Sequence, residues 1–238
     1  MAKLVLFDID GTLVLTGGAG LRAMNRACAD LVGHTRALDG IPVAGRTDRV
    51  ILADVLARLD RTLDDPLLEQ LRDRYLACLA EEIQHRGEGV KAVLPGVARL
   101  LDTLASRDDV VLGLVTGNFE AGARIKLGHF DLWRYFRCGA FADDAADRNL
   151  LVPFAVDRAR RCGLERVPAR DVLVVGDTPH DIACARAVGA VAVGVATGGF
   201  SVDDLRESGA DVWFRDLSEV GAFLELVEGG AASDRAQG

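Results

Sequence analysis

Two aspartates one residue apart, Asp8 and Asp10, close the apolar run Leu4-Val5-Leu6-Phe7 and are followed at once by Gly11 and Thr12. Carboxylates are rarely buried unless they are paired or hold a metal, so a buried strand gains nothing from ending in two of them. In an open α/β sheet, however, the carboxyl end of a strand is where ligands bind. The backbone aims residues at this spacing differently, so one acid can attack while the other moves protons. Two further apolar runs end in polar groups: Val110 to Val115 leads into Thr116-Gly117-Asn118, and Val172 to Val175 into Gly176-Asp177-Thr178-Pro179-His180-Asp181. Parallel strands bring their carboxyl ends to one edge, so these groups converge if the strands are neighbours.

Asp8, Asp10 and Asp177, with Asp181 beside them, cannot be ionised together without a cation. Oxygen ligands of this kind suit Mg²⁺, which takes one or two carboxylates and a phosphate oxygen and keeps several waters. A metal and a carboxylate facing a phosphate define phosphoryl transfer through an aspartyl-phosphate. Asp8 is then the nucleophile, and Asp10 protonates the leaving oxygen and later activates water. Thr116, Gly117 and Asn118 bind phosphate oxygens, and one cationic side chain neutralises the remaining charge. Plainer readings stand beside these. Asp181 can serve only its helix's first turn, Asn118 can cap the next helix, and His180 is read as a helix-start residue.

The rest of the chain has to position these groups. Its 238 residues are half apolar and carry a net charge of −8, which argues against a nucleic-acid partner. Five widely spaced cysteines show no metal spacing and suggest reduced thiols. The stretch before Asp8 is too short for a signal-peptide core, and no apolar run reaches membrane-spanning length, so a cytoplasmic protein is expected. Between about Val14 and Lys91 only helical periodicity appears, in three sets beginning near Leu21, Val50 and Leu67, with Asp64 and Pro66 opening the last. Beyond Pro95-Gly96 strands alternate with helices, and Gly139-Ala140-Phe141-Ala142 reads as a turn. The expected fold is therefore α/β: a doubly wound, parallel-sheet, Rossmann-like core (1–14 and 92–228), an inserted all-helical cap (15–91) and a frayed tail (229–238). Gly17, Gly18 and Gly20 are read as hinge residues.

Asp8-Ile9-Asp10-Gly11-Thr12, Thr116-Gly117-Asn118 and Gly176-Asp177-Thr178-Pro179-His180-Asp181 resemble the first, second and fourth motifs of the haloacid dehalogenase superfamily. The resemblance covers the chain up to its tail and is nearest the phosphoglycolate-phosphatase-like branch. It implies a helical cap, with Asp8, the Asp10 carbonyl and Asp177 as Mg²⁺ ligands and Asp181 supporting them partly through water. The third motif departs from the pattern. A Lys is usual there, but here Pro153 is preceded by Asn149, Leu150, Leu151 and Val152, and the nearest cation is Arg148. Arg148 is preferred for that charge because its guanidinium binds phosphate through two donors. Lys126 is the alternative, with a solvated charge on a helix face as its plainer reading. Caps of this family reach over the site, which makes Arg46 in Gly45-Arg46-Thr47-Asp48 a candidate substrate contact, although Thr47 or Asp48 can be simply a helix cap.

Asp10 argues against a true dehalogenase, which lacks that acid. The absence of lysine between Val14 and Val90 argues against a phosphonatase, which needs a cap Lys. The expected activity is Mg²⁺-dependent hydrolysis of a small phosphorylated metabolite, 2-phosphoglycolate being implied by resemblance alone. A phosphosugar mutase and a non-catalytic phosphoacceptor switch are the alternatives. No nucleic acid or membrane is expected as partner, and the chain is expected to be a monomer or dimer.

Overall fold

The computed structural model describes residues 3–229 apart from residue 165; most of the expected tail, 230–238, lies outside the described residues. In chain order the elements are β1 (Lys3–Phe7), β2 (Val14–Thr16), α1 (Ala19–Val32), α2 (Asp48–Arg58), α3 (Asp65–Glu82), β3 (Lys91–Val93), α4 (Val97–Ala105), β4 (Val110–Val115), α5 (Glu120–His129) and β5 (Cys138–Ala140). They continue with α6 (Leu151–Arg160), β6 (Val172–Gly176), α7 (Pro179–Arg186), β7 (Val191–Val195), α8 (Val202–Glu207), β8 (Val212–Phe214) and α9 (Val220–Val227).

Six strands form one parallel sheet in the order β5-β4-β1-β6-β7-β8. Side chains alternate across a strand, and the central strand divides accordingly. Val5 and Phe7 enter the core under α4, α5 and α9, while Leu4 and Leu6 enter the core under α6, α7 and α8. Both faces are covered, which is why β1, β4 and β6 read as unbroken apolar runs. The register pairs Phe7 with Leu114 on one side and with Val175 on the other. The residues just past these strands therefore come out side by side. Phe7 is fixed between the rings of Phe136 (6.3 Å, edge-on) and Phe223 (6.2 Å, stacked), so the residue before Asp8 has little freedom.

The helical insertion has its own core, built from Met24, Leu52, Leu56, Tyr75, Leu79 and their neighbours, with Phe119 reaching in from the sheet side. Four ion pairs tie α1 to α3: Arg22–Glu82, Arg26–Glu82 and Arg26–Glu81, each 2.8 Å, and Arg74–Asp30 at 2.6 Å. Asp64 caps α3 by accepting from the Leu67 N–H.

Two local expectations are corrected. The segment from Val14 to Lys91 is bounded by a two-stranded antiparallel ribbon, β2 against β3, pairing Val14 with Val93 and Thr16 with Lys91. These strands are three residues each, too short to show a period of two. The segment at Gly139 is not a turn but the end of β5, an edge strand lacking the β-branched residues that mark strands.

The packing of Phe223 yields a stability prediction remote from the strand ends. Phe223→Ala removes a ring that is 1% exposed and should lower unfolding free energy by about 3–5 kcal/mol in urea titrations. A loss under about 1 kcal/mol would contradict the packing described.

Candidate active site

The ends of β1, β4 and β6 bring Asp8, Asp10, Thr116 and Asp177 to one edge of the sheet. Asp8 directly extends β1, its N–H donating to the Val175 carbonyl (2.9 Å). Asp8, Asp177 and Asp181 are all buried, and one carboxylate oxygen from each lies within 4.8 Å of the other two. Gly11 makes this approach feasible. Its φ is +82°, and a Cβ there would sit 2.4 Å from the Asp177 carboxylate. Thr12 donates to Asp177 (3.0 Å), and Thr197, just past β7, donates to the Gly11 carbonyl (2.5 Å). The Asp181 carboxylate accepts from both the N–H (3.0 Å) and hydroxyl (2.7 Å) of Thr178.

Both candidate cations reach this edge, on different acids. Arg148, buried in the turn before α6, places Nη2 3.1 Å from Asp8 Oδ1 and pairs with Asp181. Lys126 is not a solvated charge, as its helix position suggested. It is 5% exposed, 2.6 Å from Asp10 Oδ2 and 2.6 Å from Asn118 Oδ1. Asn118 completes this triangle by donating to Asp10 (2.9 Å) and to the Thr116 hydroxyl (2.8 Å). It does not cap α5, whose N-cap is Phe119. The Asp10 side chain remains 44% exposed and faces the cavity above.

These charges shift one another. Burial, with Asp181 and Asp10 adding repulsion, raises the Asp8 carboxyl to about 6 despite Arg148. Burial, then Asp181 and Asp8, push Asp177 to about 8. Burial opposes the charge on Lys126, but Asp10 and Asp48 overcome it and hold the ammonium above its ordinary value. Burial likewise opposes the Arg148 charge, and Asp181 and Asp8 reverse that.

The insertion lies directly on this edge. Thr47 is the N-cap of α2, and Asp48 does something else: its N–H donates to the Gly117 carbonyl (2.7 Å) while its buried carboxylate accepts from the Phe119 N–H (2.9 Å). The Thr47 hydroxyl donates to the Ala146 carbonyl (2.8 Å), and Arg148 donates to the Gly45 carbonyl (3.0 Å). A Cβ on Gly117 would lie 2.1 Å from the Arg46 carbonyl oxygen, so only glycine permits this contact. The Arg46 side chain lines the cavity but pairs with Asp54 (2.7 Å). His180 lies in the first turn of α7, against Gly45.

Asp48, Thr12 and Thr197 are the site-adjacent residues that motif reading left without a role. Thr197 had a signal: a further strand, β7, ends in a hydroxyl followed by Gly198-Gly199, repeating the pattern of the other strand ends. Asp48 had none beyond the capping pattern, because its partner Phe119 is 71 residues away.

The pattern of the haloacid dehalogenase-like hydrolases matches residues 5–195, more than half of the chain. The chain belongs to that family. Among relatives, it is 30% identical to a phosphoglycolate phosphatase of Rhodospirillum rubrum, over 97% of this chain and 94% of that one. It is 28% identical to the "probable phosphatase IndB" of Dickeya dadantii, over 96% of each chain. A β-phosphoglucomutase structure from Clostridium difficile shares the fold, with a TM-score of 0.69 at 17% identity, covering 96% of this chain and 98% of that one.

The raised acids give the family site a pH signature. Asp8 and Asp177 hold their protons more tightly folded than unfolded, where the carboxyl value is 3.8. The stabilisation is therefore complete below about pH 4. It is lost as pH rises through about 6 for Asp8 and about 8 for Asp177. In EDTA the melting temperature should fall from about pH 5 to about pH 8, and a divalent cation should reduce that fall. A melting temperature flat with pH in EDTA would contradict the shifts.

Proposed function

We propose that this family member is a Mg²⁺-dependent phosphatase that hydrolyses a small phosphorylated metabolite through an aspartyl-phosphate on Asp8. The observation that carries this reading is the division of charge at the strand ends. Arg148 sits on Asp8 and Lys126 on Asp10, so the two acids are held for different work. The phosphatase names of both relatives support it.

The residues fit a divalent cation. Three buried carboxylates converge, burial raises the Asp8 and Asp177 carboxyls, and Asp8 Oδ1 has no hydrogen-bond partner although Arg148 is at ion-pair distance. Asp8, Asp177 and the Asp10 carbonyl would hold Mg²⁺. Asp181, engaged by Arg148 and Thr178, supports the set. When bound, the ion would neutralise the carboxylates and polarise the phosphoryl group.

The chain's own residues carry the steps. The Asp8 carboxylate attacks phosphorus, the bond to the leaving oxygen breaks, and Asp10 gives that oxygen its proton. Asp10 then takes a proton from the water that attacks the aspartyl-phosphate, releasing phosphate and restoring Asp8. Lys126 and Asn118 keep Asp10 aimed through both steps. Arg148, the Thr116 hydroxyl and the Gly117-Asn118 backbone hold the phosphoryl oxygens.

Residues 15–91 act as a cap on a core of 1–14 and 92–228, entering and leaving through the β2–β3 ribbon. The contacts of Gly45, Thr47 and Asp48 with the core belong to its closed state, which excludes water during attack and opens for product release. We place the enzyme in the cytoplasm; among the described residues no helix is long and apolar enough to cross a membrane. A mutase reading is weaker, because the cap has no lysine and Arg46 is already paired with Asp54. The intact second acid, Asp10, weighs against a phosphoacceptor switch.

Phosphate release from a panel of phosphomonoesters tests the reading. Release should require Mg²⁺, stop in EDTA, and disappear in Asp8→Asn; activity retained in that variant would sink the nucleophile assignment. The two cations separate by substitution. Arg148→Ala should cost about 10²–10³-fold in kcat, the scale of a lost charge-stabilising donor, with partial rescue in Arg148→Lys. Lys126→Met should lower kcat with a changed pH profile, because Asp10 loses its partner. A wild-type profile in Lys126→Met would show that Asp10 needs no such support.

A further inference from the structure

The cavity above the strand ends has a volume of about 590 Å³ and a mixed lining. The floor carries Asp8, Asp10, Lys126, Arg148 and Asp177, the groups already assigned to the phosphoryl end. The helical segment contributes the apolar Leu21, Met24, Val43, Ile51 and Val90 beside Arg46 and Asp48. Four large hydrophobic residues are strongly exposed among the described residues, and two of them, Leu21 (46%) and Val90 (66%), line this cavity. Exposed apolar surface gathered at a concave site marks where a ligand's apolar surface is covered.

Charge narrows the ligand further. The cavity's lining cations are Arg46, Lys126 and Arg148, and each already has a carboxylate: Asp54 at 2.7 Å, Asp10 at 2.6 Å, and Asp8 (3.1 Å) together with Asp181. Asp48 adds a further acid to the lining. Beyond the phosphoryl end, a second anionic group on the substrate, such as the carboxylate of 2-phosphoglycolate, would have to compete with Asp54 for Arg46 and would lie near Asp48. Size points the same way. At about 30 Å³ for each of its roughly nine heavy atoms, 2-phosphoglycolate fills less than half of the cavity.

We propose that the substrate is the phosphate monoester of an uncharged alcohol larger than a two-carbon acid, its apolar ring or branched carbon frame lying against Leu21, Met24, Val43, Ile51 and Val90. This substrate class rests on the phosphatase reading above and narrows it. The leaving group's apolar face supplies binding energy away from the reacting phosphorus and shelters Asp10 from water.

The test compares kcat/KM, with Mg²⁺, for 2-phenylethyl phosphate, ethyl phosphate, 2-phosphoglycolate and acetyl phosphate. The last is a small activated acyl phosphate, a mixed anhydride that reports the chemistry with little help from the pocket. The phenylethyl ester should exceed ethyl phosphate and 2-phosphoglycolate by about 10- to 100-fold, on the scale of burying one ring face. Leu21→Lys, at an exposed position, should shrink that advantage about tenfold and raise turnover of 2-phosphoglycolate. Preference for 2-phosphoglycolate in the wild type, or no change of ranking in Leu21→Lys, would overturn the substrate class while leaving the phosphatase standing. Asp8-dependent hydrolysis of acetyl phosphate alone would do the same. No Asp8-dependent hydrolysis of any of the four compounds would overturn the phosphatase reading and this inference with it.

Discussion

The structure depends on settling charge at one buried edge. Asp8, Asp177 and Asp181 are each almost completely removed from water, and Asp10 stands beside them. Burial first, and repulsion between neighbouring acids second, favour the protonated forms of Asp8 and Asp177. Arg148 and Lys126 offset part of that cost, one paired with Asp8 and the other with Asp10. What the two cations leave uncompensated is the buried cluster of Asp8, Asp177 and Asp181, which fits the cation of the proposed reading.

The fold exists to make that edge tolerable. A sheet covered on both faces holds β1 rigidly between β4 and β6, so its carboxyl end can carry two acids without the strand giving way. The same charges also connect the edge to the helical insertion. Arg148 touches Asp8 with one nitrogen and the Gly45 carbonyl with another, while Asp48 clasps the backbone on both sides of Asn118. Under the proposed reading, closure of the insertion and assembly of the groups that hold the phosphoryl oxygens are one event. Gly117 allows the two backbones to meet.

Much of this was legible in the residues because strand-end chemistry is local. An apolar run of strand length followed by an acid or a hydroxyl is visible without knowing its neighbours, and three such runs, ending in Asp8, Thr116 and Asp177, identified the edge. The long helices were equally plain from their spacing. What stayed hidden was tertiary. Lys126 shares the buried face of its helix with Ala123 and Leu127, a spacing visible along the chain, but nothing there reveals that its ammonium meets Asp10. Asp48 looks like any acid at a helix start until Phe119 is seen beside it. The ribbon of β2 and β3 is too short to show alternation, and β5 is made of Cys138, Gly139 and Ala140, which carry little strand preference.

The central claim is that Asp8 becomes covalently phosphorylated and that Asp10 is needed to resolve it. The direct measurement is mass spectrometry of peptides from enzyme quenched in acid during turnover of a phosphomonoester, for wild type and for Asp10→Asn. The account predicts a phosphoryl group on the peptide containing Asp8 and on no other. If it forms in Asp10→Asn it should persist longer, because its hydrolysis lacks the base. Steady phosphate release with no phosphorylated peptide in either protein, or a phosphoryl group on another residue, would contradict the account.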